Sequence, residues 1–161
     1  MLNKELDIQL KPTVFKDLPV LFQFQLDEKA AYLAAFMPAN WTDEVAYITK
    51  YTRLLQEPTV NNQTLFLEDT IVGSIAKFKI ENTTEITYWI DSKFWGRGVA
   101  TNALNQFLAL ETIRPIFARV AFDNIGSQRV LEKCGFKQIG KDQGFANARG
   151  IEIEEYVYKL L

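Results

Sequence analysis

A mixed α/β fold of the α+β kind is predicted, an antiparallel meander followed by strand–helix–strand units, and three observations predict it. Between Thr64 and Ile90, three β-branched and aromatic runs (Thr64–Leu67, Ile71–Ile80, Glu85–Ile90) are separated only by Glu68-Asp69 and Glu81–Thr84, gaps short enough for hairpins. From Gly98 onward the periodicity alternates. It gives a helix over Gly98–Leu110, a strand over Ile116–Phe122, a helix over Asn124–Cys134, a strand over Phe136–Lys141 and a closing strand over Ile151–Leu161. No repeat, low-complexity tract or linker divides the 161 residues, 48% of them hydrophobic, so one domain over 1–161 with a substantial core is expected.

The N-terminal elements follow in order. A first strand is expected near Asp7–Lys11. Thr13 can then cap a helix whose apolar face is Val14, Phe15, Leu18, Leu21, Phe22 and Leu26. The apolar, small-residue stretch Ala30–Trp41 extends this helically until Met37-Pro38 breaks it. Thr42, with Asp43 and Glu44 behind it, caps a third helix through Val45, Ile48 and Leu55. Pro58 and Asn61-Asn62 mark a turn into the first strand of the meander.

Composition excludes several classes of function. A net charge of −2 and a pI of about 5.3 argue against a nucleic-acid-binding surface. The charge is uneven, with nine Lys/Arg against four Asp/Glu over residues 92–149. The chain has no histidine, which removes Ser-His-Asp and Cys-His hydrolytic machinery and histidine-ligated metals. Its one cysteine, Cys134, forbids an internal disulfide and reads as a small apolar residue at a helix end. The start MLNKELDIQLKP carries no leader-peptide pattern and no run reaches membrane-spanning length, so a cytoplasmic protein is expected.

The chemistry concentrates in Tyr88–Leu104, YWIDSKFWGRGVATNAL. A strand runs into Trp95-Gly96-Arg97-Gly98-Val99-Ala100-Thr101, and a helix begins at once with Ala100, Ala103, Leu104, Phe107 and Leu108 on one face. The first amides of a helix lack intrahelical partners and sit at the positive end of its dipole; glycines let that backbone close on a phosphate. A pyrophosphate-bearing ligand is the expectation. No lysine follows Gly98 as a P-loop requires, and Thr101 occupies the third-glycine place of a dinucleotide fingerprint. Downstream, Asn124 can cap a helix containing Ser127, Arg129, Leu131 and Lys133, and Gly135 can close it before Phe136.

Together the GRGVAT turn and the Asn-x-x-Ser…Glu-Lys-Cys-Gly-Phe helix resemble the GNAT superfamily of acetyl-CoA-dependent N-acetyltransferases. Within it, Tyr-Trp-Ile ahead of Trp-Gly-x-Gly-x-Ala-Thr is most similar to the ribosomal-protein-alanine acetyltransferase branch, RimJ/RimL-like. The likeness is strong over residues 64–161 and general before them. It implies a mostly antiparallel seven-stranded sheet, flanked by about four helices, with strands 4 and 5 splayed into a V that receives the pantetheine arm. It also implies acetyl-CoA as acetyl donor and a small-molecule or peptide amine as acceptor. Metal, nucleic acid and membrane are not expected, and the state is monomer or homodimer. An adenine-nucleotide domain unrelated to acyl transfer is disfavoured by the missing P-loop lysine. A CoA-binding regulatory module without turnover is the alternative.

The transfer needs a neutral amine, a stabilised oxyanion and an assisted leaving thiolate. At pH 7 an α-amine of pKa near 8 costs about 1.4 kcal/mol to neutralise and a lysine about 4.6. Glu85 is the candidate base, on one strand face with Thr87 and Trp89, opposite Ile86, Tyr88 and Ile90. Glu152 and Glu154 are weaker candidates. Relatives place an acidic tyrosine seven residues after the asparagine; here that position is Leu131, which leaves Ser127 as the hydroxyl near the thiol. Asn124 is assigned to orienting pantetheine or substrate. The cofactor-binding set is Trp89, Ile90, Trp95, Gly96, Arg97, Gly98, Val99, Ala100, Thr101, Asn124, Ser127 and Arg129; Phe36, Met37, Trp41 and Tyr88 are expected at the acceptor pocket.

Overall fold

A meander of four strands opens the sheet. In the computed structural model, which describes residues 6–161, these are β1 (Ile8–Pro12), β2 (Asn61–Leu67), β3 (Thr70–Ile80) and β4 (Thr83–Ile90). The leader-peptide reading draws also on residues 1–5, which lie outside the described ones. After β4 come α4 (Val99–Leu110), β5 (Ile116–Ala121), α5 (Ile125–Lys133), β6 (Lys137–Ala146) and β7 (Ile151–Leu160). Between β1 and β2 lie α1 (Leu18–Gln25), α2 (Glu28–Ala34) and α3 (Glu44–Leu54). The seven strands form one sheet in the order β1-β2-β3-β4-β5-β7-β6, antiparallel except for β4 beside β5. The expected mixed sheet is therefore the observed one.

One face of the sheet carries the main core. Val99, Ala103, Leu104 and Phe107 of α4 and Leu131 of α5 pack with Ile75, Ile86, Ile90, Ile116, Ala118 and Val120. The apolar positions of α4 recur at helical spacing, so one stripe goes to the sheet and the rest to solvent. Gln106 Nε2 donates to Ile8 O at 2.6 Å and binds α4 to the edge strand β1.

The N-terminal helices differ from expectation in their boundaries, and the caps explain how. Thr13 does not cap; its hydroxyl meets Asn62 Oδ1 at 2.9 Å and Thr64 Oγ at 2.8 Å, while Thr64 donates to Asp17. Val14 and Phe15 consequently stay exposed ahead of the helix, and Leu18, Leu21 and Phe22 form its buried face. Asp27 accepts from the amides of Lys29 and Ala30, starts α2, and Ala35 at φ 65° ends it before Pro38. Asp43 rather than Thr42 caps α3. Val45 is 75% exposed, and α3 docks instead through Tyr47 and Tyr51 stacked toward Phe22.

Strand lengths differ likewise. Asn61 and Asn62 belong to β2, paired with Lys77 and Ala76, and the hairpin turns are made at Glu68 and Glu81, both at positive φ. β6 runs five residues beyond Lys141 because its partner β7 offers a ladder over its whole length.

Candidate active site

The site begins where the sheet fails to continue. β4 and β5 meet in register at a single pair, Glu85 with Phe117, and separate toward their C-terminal ends. β4 is held on its other side by β3 as far as Gly73–Ile90, and β5 by β7 as far as Ala121–Glu155. Each strand thus keeps one ladder while its inner edge opens onto a cleft. A Cβ at Gly73 would lie 2.2 Å from Trp89 O, so only glycine lets β3 approach the splayed end of β4 this closely. The cleft measures about 630 Å³, within the usual range for small-molecule sites.

The glycine turn forms one wall. Gly96 and Gly98 sit at φ 74° and 78°, in the left-handed region that favours glycine, and nothing lies within 4 Å of a Cβ built on either. The first main-chain bond of α4 runs from Asn102 N to Gly98 O, so the amides at the head of the helix have no acceptor inside it. Trp95 donates through Nε1 to Ile90 O at 2.9 Å and ties the turn to β4. Trp89, Ile90, Trp95, Gly96, Gly98, Val99, Ala100 and Thr101 all line the cleft, as does Arg129. Arg97 does not; it lies outside, over the Phe94 ring at 5.5 Å. Lys133, one turn after Arg129, lines the cleft and was not anticipated, although its spacing of four from Arg129 is a legible helical signal. Among the described residues no group of His, Cys, Asp or Glu is placed to hold a metal.

The opposite wall is α5. Asn124 caps it, its Oδ1 accepting from Ser127 N at 3.3 Å and its Nδ2 donating to Leu33 O on α2. Ala30, Leu33 and Ala34 of α2 cover the cleft, a contribution visible in sequence only as small apolar residues at helical spacing. Tyr88 reaches across from β4 to Ser127, with its phenolic oxygen 2.7 Å from Ser127 Oγ. Burial pushes its pKa up to about 12, with the Ser127 hydrogen bond opposing. Leu131 is 1% exposed, in the core below the cleft. A Leu131→Tyr variant should lose about 1–3 kcal/mol by overpacking, read as a lowered urea midpoint, with no gain in rate.

Glu85 projects from the other sheet face. It is 6% exposed and not on the cleft wall, with Oε1 at 3.6 Å from Arg119 Nε. Burial raises its pKa; Arg119 acts to lower it and Glu155 to raise it. Arg119 also donates to Asp142 at 2.8 Å and Glu155 at 3.0 Å, so four charged groups from β4, β5, β6 and β7 form one network. Of the other carboxylates, Glu152 is exposed and Glu154 half-buried on β7.

The acceptor-side candidates separate. Tyr88 lines the cleft; Phe36, Met37 and Trp41 do not. Phe36 packs against Ala121, Ala146 and Ile153, Met37 is buried, and Trp41 is half-buried, its carbonyl accepting from Gln25. This segment is anchored by Arg149, whose guanidinium binds both Asp123 oxygens at 2.7 Å, donates to Tyr32 O and stacks on the Tyr32 ring at 4.0 Å. Asp123, a neighbour of Asn124, lines the cleft.

Arg149 holds the Asp123 carboxyl below the usual carboxylate range. Such a depressed acid contributes stability that is complete above its unfolded pKa of about 3.9 and is lost as pH falls through the lower folded value. Arg149→Ala should therefore cost about 2–3 kcal/mol at pH 7, discounted for the one-third exposure of Asp123. The gap between the variant and wild-type urea midpoints should narrow in acid, the part that remains reflecting the lost Tyr32 contacts.

Residues 7–137 match the model of the Acetyltransferase (GNAT) domain family. The chain is 30% identical over 125 residues to the probable N-acetyltransferase YjcK of Bacillus subtilis (strain 168), covering 71% of this chain and 68% of that protein. Among solved structures, spermidine N-acetyltransferase from Vibrio cholerae, in complex with CoA and spermine, superposes with a TM-score of 0.80 at 17% identity, covering 96% and 95% of the two chains. Microcin C7 self immunity acetyltransferase MccE, in complex with acetyl-CoA and AMP, gives 0.78 at 20% identity, covering 96% and 92%. The ribosomal L7/L12 α-N-protein acetyltransferase RimL, in complex with coenzyme A, gives 0.77 at 20% identity, covering 93% and 92%. With its splayed strands, glycine turn and matching family model, the chain belongs to the GNAT acetyltransferases and is an acyltransferase.

Proposed function

We propose that this protein transfers the acetyl group of acetyl-CoA to a primary amine, a protein N-terminal α-amine or a small-molecule amine, by direct attack in a ternary complex. The observation that carries this reading is the cleft between the splayed strands, walled by helix-head amides on one side and by the Asn124–Ser127 turn on the other. That donor set fits CoA: unpartnered amides for a pyrophosphate at residues 96–101, cations Arg129 and Lys133 at the rim, and an apolar channel along Tyr88–Ile90 for the pantetheine arm. Acetyl-CoA supplies the acetyl group as a thioester. Glu85, raised by burial with Arg119 opposing, is the base that takes the amine proton through water, since the cleft wall does not include it. Asn124 orients the bound arm, and Ser127 hydrogen-bonds the departing sulfur.

Acetyl-CoA mixed with a panel of amines (an alanine-initiated peptide, free amino acids, spermidine) should release free CoA thiol in an amine-dependent manner. Tight acetyl-CoA binding with no amine-dependent thiol release would assign the non-catalytic CoA-binding module instead. The relatives that act on a ribosomal protein or on spermidine support testing both amine classes.

A further inference from the structure

The phenol of Tyr88, expected at the acceptor pocket, contacts Ser127. It comes from β4, and both acceptors within its reach belong to Ser127: Oγ at 2.7 Å and the carbonyl oxygen at 3.3 Å. A phenol is a stronger donor and a poorer acceptor than an alkyl hydroxyl. That difference, with the shorter contact at Oγ (2.7 Å against 3.3 Å at the carbonyl), directs the one Tyr88 proton to Ser127 Oγ. Once Oγ accepts that bond, the Ser127 proton has no protein acceptor among the described residues, and Ser127 lines the cleft. Asn124 fixes the same residue from behind through its backbone amide, so the serine is located by one contact and its hydroxyl oriented by the other.

We propose that Tyr88 is a positioning residue whose hydroxyl donates to Ser127 Oγ and so aims the single Ser127 proton at the sulfur of bound CoA. The proposal rests on the CoA-binding reading of the cleft. No proton leaves either hydroxyl: the amine nitrogen bonds the thioester carbonyl carbon and gives its proton to the base, the carbon–sulfur bond breaks with its electron pair going to sulfur, the thiolate departs into a hydrogen bond from Ser127, and solvent protonates it later. The burial that holds Tyr88 protonated to about pH 12 keeps it a donor across the working range. This explains how the fold can serve a thiolate with Leu131 buried at the position where relatives carry a phenol. The phenol enters from the strand rather than the helix and acts through the serine.

The test needs no acceptor amine. CoA itself is bound to the protein, and the pKa of its thiol is read from the ultraviolet absorbance of the thiolate across pH, with the desulfo-CoA complex as blank. A hydrogen bond to an anion is worth about 1.5–3 kcal/mol, so Ser127→Ala should raise the bound thiol pKa by about 1–2 units. Tyr88→Phe, which keeps the ring and the packing, should raise it by about one unit. The double variant should match Ser127→Ala, because the phenol acts only through the serine. A bound thiol pKa unmoved by Tyr88→Phe, or moved additively with Ser127→Ala, overturns the proposal. Failure of the wild-type protein to bind CoA would instead overturn the reading of the cleft, and the two outcomes are distinguished by the binding titration itself.

Discussion

Replacing Glu85 by Gln is expected to lower turnover by about 10²–10⁴-fold while leaving CoA affinity unchanged, the loss typical for removing a general base. The substitution keeps size and shape at a position that is 6% exposed, and Arg119 retains Asp142 and Glu155 as partners. Burial raises the Glu85 pKa, with Arg119 opposing. A carboxyl harder to ionise when folded than when unfolded weakens the fold as pH rises through the unfolded value of about 4.3. The amide removes that penalty, so Glu85→Gln should be at least as stable as wild type at neutral pH, and lost activity cannot be assigned to unfolding. The defect should shrink as pH rises and the amine becomes neutral without help. Steady-state rates across pH, beside a CoA titration, measure both effects; wild-type rates at every pH would show that the amine is deprotonated by solvent alone.

Gly98→Val should weaken CoA binding by about 10²-fold or more, because two or more charge-assisted amide hydrogen bonds to the pyrophosphate, each worth about 1.5–3 kcal/mol, lose their alignment. The cause is not a collision within the protein, since a Cβ at Gly98 meets nothing within 4 Å. It is the backbone. Gly98 holds φ 78° as the residue before α4, and a β-branched side chain there is strained by about 1–2 kcal/mol or more. Relief moves the head of α4 and places the new side chain in the open space that the ligand needs. Calorimetric titration with CoA, beside thermal unfolding to show that the domain persists, measures the effect. Unchanged affinity in the folded variant would remove the pyrophosphate from this turn.

How much of this was legible follows from what each signal reports. Periodicity reports which face of an element is apolar, so β3, β4, α4 and α5 emerged with boundaries close to those observed. The N-terminal third was read less well because its polar residues had more than one partner to choose from. Thr13 bonds Asn62 and Thr64, 49 and 51 residues away, and those distant contacts outcompete a local cap. Val45 sits at a helical spacing from Ile48, but Phe22 stacks with Tyr47, so the docking face is aromatic.

The glycine turn and the helix that follows it were determined by the sequence alone, since they depend on residues in direct succession and on the absence of a Cβ. So were the capping role of Asn124 and the absence of histidine chemistry. Three things were decided only by the tertiary structure. The splay of β4 from β5, which meet in register only at Glu85 and Phe117, depends on how two strands distant in sequence lie beside each other. The meeting of Tyr88 with Ser127 joins residues 39 apart across that splay. The perturbation of Glu85 comes from burial and from Arg119 and Glu155 on two other strands. Each depends on which elements lie side by side, and pairwise packing between distant segments leaves no periodicity in the chain for a reader to find.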